Sequence, residues 1–429
     1  MTLRQTSLFL DIVQEAENRT ESTFIDNLPL PVHGWFRYSA GFSAVWVRQL
    51  IEREKKLSRG SVLDPFAGSG TVLLEAESCD VESAGIEAHP FVWRVARAKL
   101  YWHHNHKEFC SYGLSVLQDA KGWRGEADIY PHLINRCFPP EVLLKLDSLK
   151  KAWEKRADGS PYSELTWLAL ASILRECSPA GTAPWQYILP KKQKIKVLDP
   201  YRAFENKILL MTGDMALRKS RHISRRAMLY KEDARSCPSI PDSWADLVIT
   251  SPPYANNYDY ADATRLEMSF LGDVQGWGDL QEAVRKYLIR SCTQHVSRLN
   301  GETGRIIDDP LLNPIRSEIT ATVRLLEVER HHHGGKKPYH TMIAAYFSDM
   351  AKMWVELRRV TSEGALVCFV IGDSAPYGIY VPVDRWLGQL ALSAGFNSFT
   401  FEKIRSRNVK WKNRKHRVPL HEGYLWING

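Results

Sequence analysis

Residues 61–78, "SVLDPFAGSGTVLLEAES", constrain the fold more than any other stretch of this chain. A short apolar run, Val62-Leu63, ends at Asp64 and turns through Gly68 and Gly70 into a second apolar segment. That is the pattern of a strand, a tight turn and a helix. "VESAGIEAHPFVWRVARAKL" (81–100) repeats it, with Glu87 at the end of the second strand. Strands alternating with helices predict an α/β fold with a largely parallel central sheet. The texture resumes in "AMLYKEDARSCPSIPDSWADLVITSPPY" and in the continuous apolar run "GALVCFVIGDS", which reads as a strand buried on both faces. "IYVPVDRWLGQLALSAGF" supplies a helix and "EGYLWIN" a closing strand. Ahead of the first strand, "SAVWVRQLIEREKKL" can place Val45, Val47, Leu50 and Ile51 on one apolar helix face.

Between these regions the chain reads differently. Residues 104–228 contain helix-like pieces broken by Pro and Gly, then the basic clusters "KKQKIK" (191–196) and "RKSRHISRR" (218–226). We divide the chain into 1–103, an N-terminal arm and cofactor-binding part; 104–228, a mainly helical inserted subdomain; and 229–429, a catalytic part with a basic C-terminal segment. "VLDP" at 197–200 echoes the first strand without its glycines and is treated as chance.

The turn after Val62-Leu63 carries chemistry. In an open α/β sheet, ligands bind beyond the carboxyl ends of the strands, and glycines let a ligand approach the backbone. About 20 residues beyond the turn, Glu87 can accept hydrogen bonds from two ribose hydroxyls. The turn lacks both G-x-G-x-x-G and Gly-Lys-Ser/Thr, so a pyrophosphate or triphosphate ligand is disfavoured and a nucleoside cofactor is favoured.

"DLVITSPPYANNYDY" (246–260) holds the second site. Proline fixes φ and has no amide hydrogen, so the carbonyls around Pro252 and Pro253 are rigidly aimed and free of ladder bonds. Ser251 Oγ and the Pro252 carbonyl can accept the hydrogens of an exocyclic base amine, and Tyr254 offers a ring for a base to stack on. Asn256, Asn257, Tyr258 and Tyr260 follow within reach of a base or its phosphates, although asparagine is also a plain turn residue.

Together, "DPFAGSGT" (64–71) and "TSPPY" (250–254) resemble the S-adenosylmethionine-dependent amino-methyltransferases that modify exocyclic nitrogens of DNA bases. The resemblance covers about 54–100, 228–272 and, more weakly, 341–429. It implies a Rossmann-like class I methyltransferase fold and S-adenosyl-L-methionine as cofactor. It also implies cofactor contacts from Asp64, Pro65, Phe66, Gly68, Gly70, Thr71, Glu87 and Asp233, and a catalytic unit of Ser251, Pro252, Pro253 and Tyr254. "HGWFRYSAGFSAVWVRQLI" is loosely similar to the family segment supporting the methionine end of the cofactor. Serine at the first catalytic position points to the cytosine 4-amino group. Adenine-N6 methylation, an RNA base amino-methyltransferase and a non-catalytic nucleic-acid binder are the alternatives. Residues 104–228 become the expected target-recognition region, and a segment near Asp373 is similar to one lining the target-base pocket.

The charge agrees with a polyanionic partner: Lys+Arg 57 against Asp+Glu 49 gives +8 and a pI near 9.0. Double-stranded DNA is the expected partner, with room for a companion restriction nuclease. "RSRNVKWKNRKHR" (405–417), which interleaves Trp411 with Lys and Arg, is the main candidate for phosphate contact. "ERHHHGGKKPYH" (329–340) is expected to be a DNA-facing loop pivoting on Gly334 and Gly335, not a metal site. Seven scattered cysteines without a C-x-x-C pair indicate neither a disulfide framework nor zinc. No secretory signal and no long apolar span is visible, so the cytoplasm is expected and a membrane is not.

Overall fold

The computed structural model describes residues 24–38, 41–57, 59–183, 186–218, 224–256, 258–299, 301–407 and 418–429. Most of the expected N-terminal arm, part of the basic cluster 218–226, Asn257 and all of the 405–417 run beyond residue 407, Trp411 included, lie outside them.

Among the described residues the strands are β1 (Ser61–Asp64), β2 (Glu82–Ile86), β3 (Ala180–Thr182), β4 (Ile188–Gln193), β5 (Met228–Tyr230), β6 (Ala245–Thr250), β7 (Thr361–Gly372), β8 (Ser398–Arg407) and β9 (Leu420–Asn428). Seven form one sheet in the order β5-β2-β1-β6-β7-β9-β8, and β3 and β4 form a separate hairpin. β5, β2, β1, β6 and β7 are mutually parallel, and β9 runs antiparallel to both its neighbours. The chain builds outward from β1 in one direction through β2 and β5, then returns to continue through β6 and β7. The crevice where the direction reverses lies between β1 and β6, where such sheets bind ligands. This is the Rossmann-like methyltransferase architecture expected from the sequence.

The helices of eight or more residues are α1 (Ala44–Lys55), α2 (Thr71–Ser78), α3 (Pro90–Leu100), α4 (His106–Gly122), α5 (Pro140–Arg156), α6 (Pro161–Cys177), α7 (Pro200–Arg218), α8 (Arg316–His332), α9 (Tyr339–Val360) and α10 (Val383–Ser393). Alternation along the strands assigns the two sheet faces. Val62, Leu247, Ile249 and Cys368 pack with α1 and α2, while Leu63, Val248, Val367 and Phe369 pack with α9 and α10. In α1 the buried face is Ala44, Val47, Leu50 and Ile51; Val45, expected on it, is only half-buried. Ser43 caps this helix by accepting the Trp46 amide at 3.3 Å.

The helical segment after residue 104 does not stand apart. Leu146 and Leu149 of α5, Leu168 of α6 and Phe204 and Ile208 of α7 share one apolar cluster with Leu73 and Leu74 of α2 and Phe91 and Val95 of α3. Each such buried side chain contributes about 1.5–3 kcal/mol, so this layer is a substantial part of the core. The "VLDP" echo proves to be a helix start: Asp199 Oδ1 accepts the amides of Tyr201 and Arg202, at 3.1 and 3.2 Å. The histidine run is also corrected. His331 and His332 belong to the last turn of α8, and Gly334 and Gly335 take left-handed φ of 73° and 69° just beyond its end, where the Gly335 amide caps the Arg330 carbonyl at 3.0 Å. Basic side chains suit the negative end of the helix dipole, and the expected loop is confined to residues 333–338 between α8 and α9. Among the described residues, no helix is long and apolar enough to cross a membrane.

Candidate functional site

Asp64 ends β1 and Thr250 ends β6, and the two strands are neighbours in the sheet. The Thr250 hydroxyl donates to Asp64 Oδ1 at 2.6 Å, and the same oxygen accepts the Phe66 amide at 3.0 Å. The glycine turn and the Ser-Pro-Pro-Tyr turn are thereby bolted together at the reversal point of the sheet. Burial pushes the Asp64 carboxyl up to about 7, against those two hydrogen bonds, which favour its charge.

Gly68 and Gly70 have left-handed φ of 53° and 85°. A Cβ on Gly68 would sit 3.3 Å from the Tyr38 ring, so both conformation and space favour glycine there. The Gly68 amide donates to Glu87 Oε2 at 2.8 Å, and the His89 amide to Glu87 Oε1 at 2.8 Å. Burial raises Glu87 to about 7; the two amides oppose the shift and the Asp64 charge adds to it. His89 is held near 4 by burial, so its ring is neutral at pH 7.

Gly68, Glu87 and His89 line one open pocket. Of the residues expected at the cofactor and catalytic sites, Pro65, Phe66, Gly68, Glu87, Asp233, Ser251 and Pro253 line it together. Asp64, Gly70, Thr71, Pro252 and Tyr254 are not in its lining: Asp64 and Thr71 are buried behind it, and Gly70 caps α2. Asp233 already has a partner that the sequence did not indicate, since Arg235 Nε lies 2.9 and 3.0 Å from its two carboxylate oxygens. Tyr260, expected within reach of the base, also lines it; the walls contributed by Tyr38, Tyr287, Leu288 and Ile289 were not assigned from sequence, although Tyr38 falls in the segment loosely matched to the methionine support. The others carry no local signal.

Ser251 Oγ donates its hydrogen to the Val370 carbonyl of β7 at 3.2 Å. The Tyr254 side chain is a second hydrogen-bond partner of Ser251. The Tyr254 ring is half-buried, with the Arg407 guanidinium 5.2 Å from its centroid on one face. Tyr258 and Tyr260 lie together, centroids 4.5 Å apart. Asn256 takes a left-handed φ of 60°, the turn role of asparagine. Asp373 is buried beneath this edge, accepting the His421 amide at 3.3 Å.

Comparison with known proteins adds a second line of argument. The chain is 26% identical to the Type II methyltransferase M.BsoBI of Geobacillus stearothermophilus, over 97% of this chain and 90% of the relative. It is 28% identical to the Type II methyltransferase M.AvaI of Nostoc sp. and to that of Anabaena variabilis, over 90% of this chain and 83% of each relative. No family model matches, and no solved structure matches.

Methyltransferases of this class use S-adenosylmethionine as methyl donor. The pocket fits that group on its own chemistry. Its lining contains the carboxylates of Glu87 and Asp233, the second paired with Arg235 behind it, aromatic and aliphatic walls and Gly68, and no Lys or Arg. Such a lining suits a cationic sulfonium nucleoside and disfavours a phosphate. Fold, pocket and end-to-end similarity thus converge: the chain is a homologue of the Type II methyltransferases.

Proposed function

We propose that this chain is a DNA methyltransferase that transfers a methyl group to the exocyclic 4-amino group of cytosine in a flipped-out base. Placement of Ser251 and Pro253 in the same pocket wall system as Phe66, Gly68 and Glu87 is the observation that carries the reading. Bound there, S-adenosylmethionine supplies an electrophilic methyl group. Glu87 would accept the ribose hydroxyls, Phe66 and Ile86 would flank the nucleoside and Asp233 would meet its adenine end, while Asp64, Gly70 and Thr71 shape the turn.

The amine of cytosine is a poor nucleophile because its lone pair is delocalised into the ring. Ser251 Oγ, its own hydrogen committed to Val370, and the Pro252 carbonyl accept the two amine hydrogens and favour a tetrahedral nitrogen. The face of Tyr254 opposite Arg407 takes the base, which must leave the duplex to be reached. Positioning and fixed dipoles supply the acceleration, and no covalent intermediate with the chain is needed.

Residues 104–228 enter target recognition through the β3–β4 hairpin. Lys191, Lys192 and Lys196 are exposed along and just beyond its second strand, and the Tyr187 hydroxyl in its turn accepts the Asp259 amide at 2.5 Å, eight residues past Ser251. Basic side chains beside the catalytic loop are placed for phosphate contact. The Type II relatives support a restriction-modification setting, and we place the protein in the cytoplasm.

The test is transfer of label from S-adenosylmethionine to duplex DNA, followed by identification of the modified nucleoside. Labelled 4-methylcytosine is expected. Labelled 6-methyladenine would replace the cytosine assignment, and label in RNA alone would overturn the DNA reading.

A further inference from the structure

Eight residues beyond Ser251, three buried side chains from two separate segments converge on one point. Asp259 Oδ2 receives Arg285 Nε and Nη2 at 2.9 and 2.6 Å, and Oδ1 accepts the Ala261 amide at 3.1 Å. Cys292 and His295 are spaced C-x-x-H around a single 3-10 turn, Thr293–Val296. The Cys292 sulfur, a His295 ring nitrogen and an Asp259 carboxylate oxygen all lie within 4.8 Å of one another; among the described residues, no other group of His, Cys, Asp or Glu converges in this way.

The histidine is the informative member. Its Nδ1 lies 3.0 Å from the Ile289 carbonyl, which can only accept, so the ring hydrogen sits on Nδ1 and Nε2 faces the other two groups. Nε2 is buried and makes no hydrogen bond of ordinary geometry; the nearest carboxylate oxygen, Asp259 Oδ1, is 3.5 Å away, within ion-pair reach of a protonated ring, which, against burial, Cys292 and Asp259 favour. That distance is long for an N–H···O bond, which lies at about 2.7–3.2 Å. It is close to the roughly 3.3–3.4 Å between two ligands that each sit about 2.0–2.1 Å from a tetrahedral zinc ion. A thiolate, an imidazole and a carboxylate are the donors of zinc, not of magnesium or calcium. The carbonyl behind the histidine and the guanidinium behind the aspartate are outer partners of the kind that orient metal ligands. Two anionic ligands balance a dication, which makes the neighbouring Arg285 tolerable.

We propose that Asp259, Cys292 and His295 bind a divalent ion of the zinc class, with water in the fourth place. The ion ties the loop that follows Ser-Pro-Pro-Tyr to the segment 285–296. Tyr287, Leu288 and Ile289 of that segment form one wall of the cofactor pocket, so the ion holds the pocket wall against the catalytic loop. The site stands on its own geometry and does not depend on which base is methylated.

The test is metal analysis of the full chain, expressed in zinc-supplemented medium, freed of any affinity tag and dialysed against a weak chelator. Stoichiometric zinc is expected in the wild type, loss to background in Cys292→Ser and in His295→Ala, and retention in a control that replaces the exposed His331, His332 and His333 by Asn. Stripping with a strong chelator should lower the melting temperature, and zinc should restore it. If the ligand variants fail to fold, cobalt substitution of the wild type decides instead: a thiolate-to-metal charge-transfer band in the near ultraviolet is expected. A zinc-free wild type, zinc retained in both ligand variants, or a cobalt protein without that band overturns the proposal.

Discussion

Cofactor binding should strengthen steeply as pH rises through neutrality, and Glu87 should be the cause. Its carboxyl is raised to about 7, first by burial and then by the Asp64 charge, while the amides of Gly68 and His89 hold it down. A ribose hydroxyl donates, so it binds the carboxylate and not the acid. For a group of pKa about 7, roughly one molecule in eleven is ionised at pH 6 and about ten in eleven at pH 8. If binding requires the ionised form, affinity should rise about tenfold over that interval, which is about 1.4 kcal/mol. The sign for folding is opposite. A carboxyl whose folded pKa exceeds its ordinary value of 4.5 holds extra protons in the native state between those two values. The stability it contributes without ligand therefore falls as pH rises from about 4.5 to 7. Calorimetric titration with S-adenosylmethionine at pH 6, 7 and 8, in buffers of different ionisation enthalpy, measures both affinity and proton release. Glu87→Gln provides the control, because the cofactor's own amino group titrates equally in both proteins. Wild type should be about tenfold steeper than the variant and should release close to one proton at pH 6. Parallel pH profiles for the two proteins would refute the reasoning.

Three other outcomes follow from the geometry. Ser251→Ala removes one fixed acceptor for the amine and should lower the transfer rate about 10²–10³-fold, while Tyr254→Ala removes a stacking face contributing about 1–3 kcal/mol; calorimetric affinity for the cofactor should survive both. Gly68→Val forces a β-branched residue into a left-handed φ of 53° against the Tyr38 ring, and the same titration should detect no cofactor binding while the far-ultraviolet circular dichroism is kept. Glu75, fully buried in α2, accepts from His33 Nε2 at 2.7 Å and Arg48 Nε at 2.6 Å, which hold its carboxyl far below the usual range against burial. Glu75→Ala leaves both partners uncompensated and should cost about 3–5 kcal/mol, read as a lower urea midpoint.

What the sequence made legible was local. Val62 to Thr71 is a strand, a turn and a helix start within one short stretch, and every constraint on it, from the apolar run to the glycines, is written in consecutive residues. The strand before Ser251 was equally readable. The sheet class followed from alternation, and the positions of Phe66, Gly68 and Glu87 in one pocket followed from where parallel strands end. What could not be read was contact across distance. Nothing near Asp233 says that Arg235 will fold back on it instead of facing solvent, and nothing in "RSRN" says that Arg407 will lie over Tyr254 from a different strand. The histidine run was misread because an exposed helix end and a loop have the same polar composition. Cys292 and His295 were passed over because their third companion, Asp259, is brought to them only by the fold.

The Thr250 to Asp64 hydrogen bond has a consequence for how such a chain can change. It joins the ends of two neighbouring strands, which a parallel sheet holds about 4.8 Å apart whatever lies between them in sequence. The spacing between the glycine turn after Asp64 and the Ser-Pro-Pro-Tyr turn is therefore a property of the sheet and not of the loops. Surface loops between β1 and β6 can change in length without moving that spacing, whereas α5, α6 and α7 are tied into the core through Leu146, Leu168 and Phe204. The bolt separates the part that must stay fixed from the part that is free to diverge.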